Sequence, residues 1–329
     1  MKFATRLGIC LAALFVSNAT ASFADDLKVG MLIPGRIDDG GFMEAGYDGL
    51  MRIKEELHIQ TNYIDNIKPE IGPLSDALRK LAADGPDMIV AHGGQNGKAV
   101  EAVAPEFPNI KFAVVQGNTT GKNISSYEVL QEQSAWLAGA AAGLLTKTNV
   151  VGHISGIRVP PGLKGRAAFY HGLMQTNPGA KFLTVFAGSQ DDTELARKVA
   201  TAEIDAGADI IFTMLNAGRA GSIDAMRERG VLQIGNVRDW YPDHPDVFVA
   251  SALANVSLAA FHAAKDLADG DWKSGEITKI GLEEPEAVSL ALSPGVSDDV
   301  KAKVAELSKK IVAGEIVVST DYDGKEFEF

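Results

Sequence analysis

Asp38 and Asp39 stand side by side in "PGRIDDGGFMEAGYDGL", residues 34–50, followed by two glycines and the ring of Phe42. Adjacent carboxylates suggest general acid–base chemistry, but such a pair needs a nucleophile or a held water opposite, and neighbours in sequence point in different directions. Each Asp taken singly equally suits a loop carboxylate that caps the next helix. A second glycine-rich stretch, Gly93-Gly94-Gln95-Asn96-Gly97, follows an apolar run. Neither stretch has the glycine and lysine spacing with which Rossmann or P-loop turns wrap phosphate oxygens. The six histidines are scattered without paired helical spacing, which argues against a metal centre, and no G-x-S-x-G elbow occurs. No catalytic machinery is expected, and no cofactor or metal.

The aromatic residues point elsewhere. Phe42 lies at the mouth of the first strand, where it either staples the following helix or offers a stacking face to a planar ligand. Trp240, after a strand in the second half, either faces the same cleft or packs at a hinge. Two aromatic walls with acids and amides between them suit a flat, polar, uncharged molecule. The expected ligand contacts are Asp38, Asp39, Phe42, Gln95, Asn96, Gln116, Asn216, Asp239 and Trp240. Arg158 and Arg166 are weaker candidates that would matter more for an anionic ligand.

These residues sit at the ends of a regular strand–helix alternation. Strands are expected at 27–34, 58–65, 88–91 and 111–115, with helices at 43–57, 71–83 and 98–107. A second series places strands at 150–155, 182–186, 209–214 and 232–235. Its helices fall at 134–145, 165–175, 192–206 and 218–229, and another follows at 256–268. Such order gives α/β architecture, with two sheets of similar size covered by helices. Boundaries fall near 123–129 and 247–255. The expected organisation is a first lobe of 25–128 plus 252–287 and a second of 129–251 plus 288–329. Ligands meet such sheets at the carboxyl ends of their strands, which places the site in the cleft between lobes.

The ends and the composition agree with an exported binding protein. Lys2 and Arg6 precede an apolar run, 7–16, too short to span a bilayer, and small residues at 19–24 suit a signal peptidase. Cleavage after Ala24 predicts a periplasmic protein. The single cysteine, Cys10, falls inside that leader, so the mature chain is expected to carry no disulfide or thiol chemistry. Without the leader, 29 basic residues face 43 acidic ones, a net charge of −14 that disfavours nucleic acid and anionic lipid as partners.

The chain also resembles the basic membrane protein family of periplasmic substrate-binding proteins for ABC importers, which includes purine nucleoside receptors. The likeness is carried in family order by "KVGMLIPGRIDDGGFMEAGYDGL" (28–50), "IVAHGGQN" (89–96), "PNIKFAVVQGN" (108–118), "WLAGAAAGLLTKTNVVGHISG" (136–156), "AEIDAGADIIF" (202–212) and "IGNVRDW" (234–240). It implies a two-lobed type I periplasmic binding fold, a membrane permease as partner, and a monomer that closes on its ligand. It also implies that Phe42 stacks the base and that Asp38 or Asp39 reads its edge. Family members usually carry Asn after that ring, where Met43 stands here, and a hinge Lys for the ribose, where Ala254 stands. These departures favour a free purine base, adenine-like, over a nucleoside. A nucleoside-processing enzyme and a ligand sensor are the other readings.

Overall fold

The computed structural model describes residues 27–329; the expected leader, 1–24, lies outside them. The first sheet contains β1 (Lys28–Ile33), β2 (Gln60–Asp65), β3 (Met88–His92), β4 (Lys111–Val115), β5 (Ile124–Val129) and a late strand, β11 (Ile277–Ile280). Its order is β11-β5-β4-β3-β1-β2, parallel throughout. The second contains β6 (Val150–Ser155), β7 (Lys181–Phe186), β8 (Ile210–Met214), β9 (Leu232–Val237), β10 (Phe248–Ala254) and β12 (Val288–Leu292). Its order is β12-β10-β9-β8-β6-β7, and β12 alone runs antiparallel to its neighbour.

Strands covered on both faces must be apolar at successive positions, and the cores divide accordingly. In the first sheet Met31, Ile33, Met88 and Val90 pack with α1 (Phe42–Glu56) and α8 (Ser257–Asp269). Their neighbours Leu32, Ile89 and Ala91 turn to α2 (Ile71–Ala83) and α3 (Gly97–Val103). The second sheet is covered on one face by α4 (Gln131–Leu145), α5 (Pro160–Thr176) and α9 (Asp298–Val312), and on the other by α6 (Thr193–Asp205) and α7 (Arg219–Arg229). Helices α4 and α5 cross backbone to backbone. A Cβ on Gly139 would lie 1.9 Å from the Phe169 carbonyl oxygen, and one on Gly172 equally close to that of Trp136. Only glycine admits this approach.

The alternation read from the sequence is present; the structure adds β11, β12 and α9, which that reading lacks, and differs at further points. Segments 123–129 and 247–255, expected as boundaries, are largely the strands β5 and β10. The polar Ser125 and Ser126 of β5 are buried, which hides the strand from a hydrophobic pattern. Strand β10 stays in the second sheet to Ala254, so a division at 251/252 cuts it. Helix α5 starts at Pro160, before the expected 165, because Pro160 and Pro161 fit the first turn, where amide donors have no helical partner.

The chain crosses between the sheets after β5, after β10 and after β11, and the crossings are bonded to one another. Leu130 N donates to Ile280 O at 2.8 Å, and Asn255 N donates to Ala287 O at 2.8 Å. The Gln116 side chain holds Val129 by both backbone groups, donating to its O at 3.1 Å and accepting from its N at 2.5 Å. This lacing keeps the strand ends of the two sheets facing each other.

One buried group is set against the fold. Glu203 of α6 is fully buried against Gly152, with neither carboxyl oxygen in a well-formed hydrogen bond. Burial pushes its pKa well above the usual carboxylate value. The folded protein therefore holds a proton that the unfolded chain releases, and stability falls as pH rises above the ordinary Glu pKa. Denaturant unfolding of Glu203→Gln should show its stability gaining on the wild type by on the order of 1.4 kcal/mol per pH unit above about 4.5. Parallel curves for the two proteins from pH 4.5 to 8 would contradict the buried neutral acid.

Candidate functional site

The loop after β1 meets the loop after β8 through Asp39 and Asn216, and the end of β4 shares a cavity with the segment after β6. After β1 the chain turns through 34–41 into α1, and Asp39 governs that turn. Its carboxylate accepts from the backbone N of Gly41 at 2.8 Å, Met43 at 3.2 Å and Glu44 at 3.1 Å. It thus caps α1, where the helix dipole also favours negative charge. A fourth contact comes from the opposite lobe, Asn216 Nδ2 donating to Asp39 Oδ2 at 3.2 Å. Gly41 belongs to the same junction: a Cβ there would lie 2.6 Å from Asn216 Oδ1. Asp38 points away, exposed and paired with Arg36 at 2.8 Å, which lowers its pKa.

Phe42, the first residue of α1, is half-buried, its ring centroid 4.3 Å from that of His92 at 31°. His92 Nε2 lies 2.7 Å from the Phe42 carbonyl oxygen. A carbonyl only accepts, so Nε2 carries the proton. Burial drives the pKa of His92 down to about 4. The ring behind Phe42 is therefore neutral at physiological pH.

The expected amides divide. Asn96 is fully buried and donates to the carbonyls of His92 and Gly93 at 2.8 and 3.0 Å, shaping the turn after β3. Gln95 is exposed at the same turn. Gln116, with φ of 55°, stands at the end of β4 with its amide engaged by Val129. Beside it a cavity of about 30 Å³ is lined by residues of both lobes, among them Glu128, Gln131, Glu132 and Lys164. Lys164 pairs across the cleft with Glu128 and lies 3.8 Å from Glu132. Burial raises the pKa of Glu132, and the two carboxylates raise that of Lys164 against the opposing effect of burial. Sequence reasoning missed this bridge, since a lysine in the first turns of a helix reads as solvated.

Trp240 departs from its expected role as an open stacking wall. Its side chain is 8% exposed in the second-lobe core, beside Phe248 at 6.0 Å. Its indole N–H donates to Asn236 O at 2.8 Å, and the Arg219 and Arg238 guanidinium carbons lie 4.3 and 3.8 Å from its ring centroid. Asp239 is half-buried and accepts from Tyr241 N at 3.1 Å. Arg158 and Arg166 converge on Glu326 of the C-terminal tail, at 2.5 and 3.1 Å, so the two guanidinium groups share one carboxylate of the chain. Among the described residues there is no cluster suited to hold a metal ion and no helix long and apolar enough to cross a membrane.

Two sheets joined by three crossings, with aromatic, amide and acid side chains at facing strand ends, define a solute-binding fold. Residues 26–321 match the family model of PnrA-like ABC transporter substrate-binding proteins, and the chain belongs to that family. A purine-binding protein of Brucella abortus is 26% identical over 94% of this chain and 87% of its own length. The transcriptional activator protein med of Bacillus subtilis is 24% identical over 86% of this chain and 87% of its own. A solved ABC transporter solute-binding protein from Aeropyrum pernix superposes with a TM-score of 0.78 at 23% identity, covering 90% of this chain and 94% of that one.

The neutral His92 carries a pH dependence of its own. Between its folded value of about 4 and its ordinary value of 6.5, the unfolded chain binds a proton that the folded protein does not. Stability therefore falls as pH drops through that window. His92→Gln keeps an N–H donor for Phe42 O without a titrating ring. The wild type should lose stability relative to this variant by on the order of 1.4 kcal/mol per pH unit between those limits, measured by denaturant unfolding. A pH-independent difference would mean that His92 is not held neutral.

Proposed function

We propose that this chain is the periplasmic receptor of an ABC importer and that it binds a purine base, adenine-like, in the cleft between its lobes. The observation that carries the reading is the Phe42 ring at the cleft, backed by neutral His92 at 4.3 Å. A ring pair of this kind favours a flat heteroaromatic over a sugar. The charges around the cleft support an uncharged ligand, because Lys164 pairs with Glu128 while Arg158 and Arg166 share Glu326 within the chain. The name of the Brucella abortus relative points the same way.

The base is favoured over a nucleoside by what occupies the hinge. Ala254, where the family resemblance implies a ribose-binding lysine, is a buried core residue at the end of β10. Vicinal hydroxyls buried there would lack donors, at about 1–3 kcal/mol for each unpaired group. An enzyme acting on nucleosides would need an activated water or nucleophile, and the acids of the cleft have other work: Asp39 caps α1 and Asp38 pairs with Arg36 in solvent. The Bacillus subtilis relative's name keeps a sensor role as the second reading, with the same ligand site.

Calorimetry with adenine, hypoxanthine, adenosine and guanosine tests this reading. The bases should bind more tightly than the nucleosides and be recovered unchanged. Phe42→Ala should weaken binding by about 1–3 kcal/mol, the usual worth of stacking a base on an aromatic ring. Tighter binding of nucleosides, or an unaltered affinity in Phe42→Ala, would overturn it.

A further inference from the structure

Arg219, in the first turn of α7, is 3% exposed and has no carboxylate within ion-pair distance among the described residues. Its two Nη groups are met by neutral oxygens instead, while the buried Nε has no partner among the described residues. Nη1 donates to Thr213 O at 3.2 Å and Thr213 Oγ1 at 2.8 Å, while Nη2 donates to Leu215 O and to the side-chain oxygen of Asn236. A buried cation without a counter-charge is costly, so the arrangement calls for a reason beyond packing.

Asn236 supplies one. Its backbone carbonyl accepts from Arg238 N at 3.0 Å and from the Trp240 indole N–H at 2.8 Å, and its Oδ1 accepts from Arg219. An arginine only donates, so Oδ1 must face it and the amide cannot flip without setting donor against donor. What remains is Nδ2, which has no partner among the described residues on a half-buried side chain. The position is also close to the lobe junction: Leu215, on the same Nη2, is followed by Asn216, which reaches Asp39 across the cleft. The next residue, Val237, has φ of 72°, a left-handed conformation that β-branched residues avoid. Strain of that kind is kept where the surroundings over-determine it, as at ligand sites.

We propose that Asn236 is a ligand-reading residue, its Nδ2 held outward by the buried Arg219 and donating to an acceptor atom on the edge of the bound heteroaromatic ring. Arg219 is the positioning residue, and its charge behind the amide strengthens the donor toward an electron-rich acceptor such as a ring nitrogen or a ring carbonyl. Asp239, three residues on, has a half-buried carboxylate that accepts from Tyr241 N at 3.1 Å and complements it as an acceptor. Donor and acceptor together match an edge that presents one acceptor and one N–H. This rests on the purine reading above and adds which group selects among purines.

The test is a cycle between protein and ligand. Asn236→Asp keeps an oxygen for Arg219 and removes the donor, and Asn236→Ser removes the donor without adding charge. Wild type and both variants are titrated by calorimetry with adenine, hypoxanthine, unsubstituted purine and the 1-, 3- and 7-deaza analogues of adenine and hypoxanthine. Thermal midpoints confirm that the variants fold. The wild type should lose tenfold or more in affinity when one particular acceptor is removed from the ligand. Both variants should bind the parent base at least tenfold more weakly and lose that discrimination. A wild type that binds purines, with variants that keep both its affinity and its discrimination, overturns the role of Asn236 alone. A wild type that binds no purine overturns the purine reading and this inference together.

Discussion

The contact on which the cleft depends is the Asp39 carboxylate, which closes the start of α1 and receives Asn216 from the other lobe. Three backbone donors fix where α1 begins, and its first residue is Phe42. The same carboxylate therefore fixes the position of the Phe42 ring and bonds to the opposite lobe. His92 completes the arrangement from β3, with its N–H on the Phe42 carbonyl and its ring against the phenyl face. Charge-assisted hydrogen bonds are strong enough to hold a loop that rich in glycine in one geometry.

Charge around the cleft is arranged by the same economy. Lys164 meets Glu128, Arg158 and Arg166 meet Glu326, and Arg238 meets Asp243 at 2.8 Å. Arg219 stands apart, buried and bonded only to neutral oxygens. A charged ligand would have to compete with carboxylates already in place, whereas an uncharged ring leaves every pair intact. The Lys164–Glu128 bridge and the Asp39–Asn216 contact both span the lobes.

Much of this architecture was legible in the sequence, because strands covered on both faces must be continuous apolar runs and helices with one buried face must repeat at helical spacing. Segments such as 71–83, 111–115 and 150–155 coincide with α2, β4 and β6. Strand β5 escaped because its buried serines break the pattern, their polarity being answered by bonds such as Ser126 Oγ to Thr119 O at 2.7 Å. The candidate site was legible as a set of strand-end positions. The strand-end rule located Phe42, Asp39 and Asn216, and the structure brings all three together. The sequence leaves Trp240 open between cleft wall and packed ring because nothing local says that Phe248 and Arg219 will cover it. Arg219 and Lys164 were overlooked for the converse reason: a basic residue in a first helical turn looks solvated until the opposing lobe or the next strand is known.

A cleft built for a flat, uncharged heteroaromatic, as proposed above, should retain such a ligand through purification. The most direct measurement is native mass spectrometry of the protein purified without refolding, followed by denaturation and identification of what is released. A small, ultraviolet-absorbing purine base released intact is the expected result. Release of a sugar, an amino acid or a charged nucleotide would contradict it.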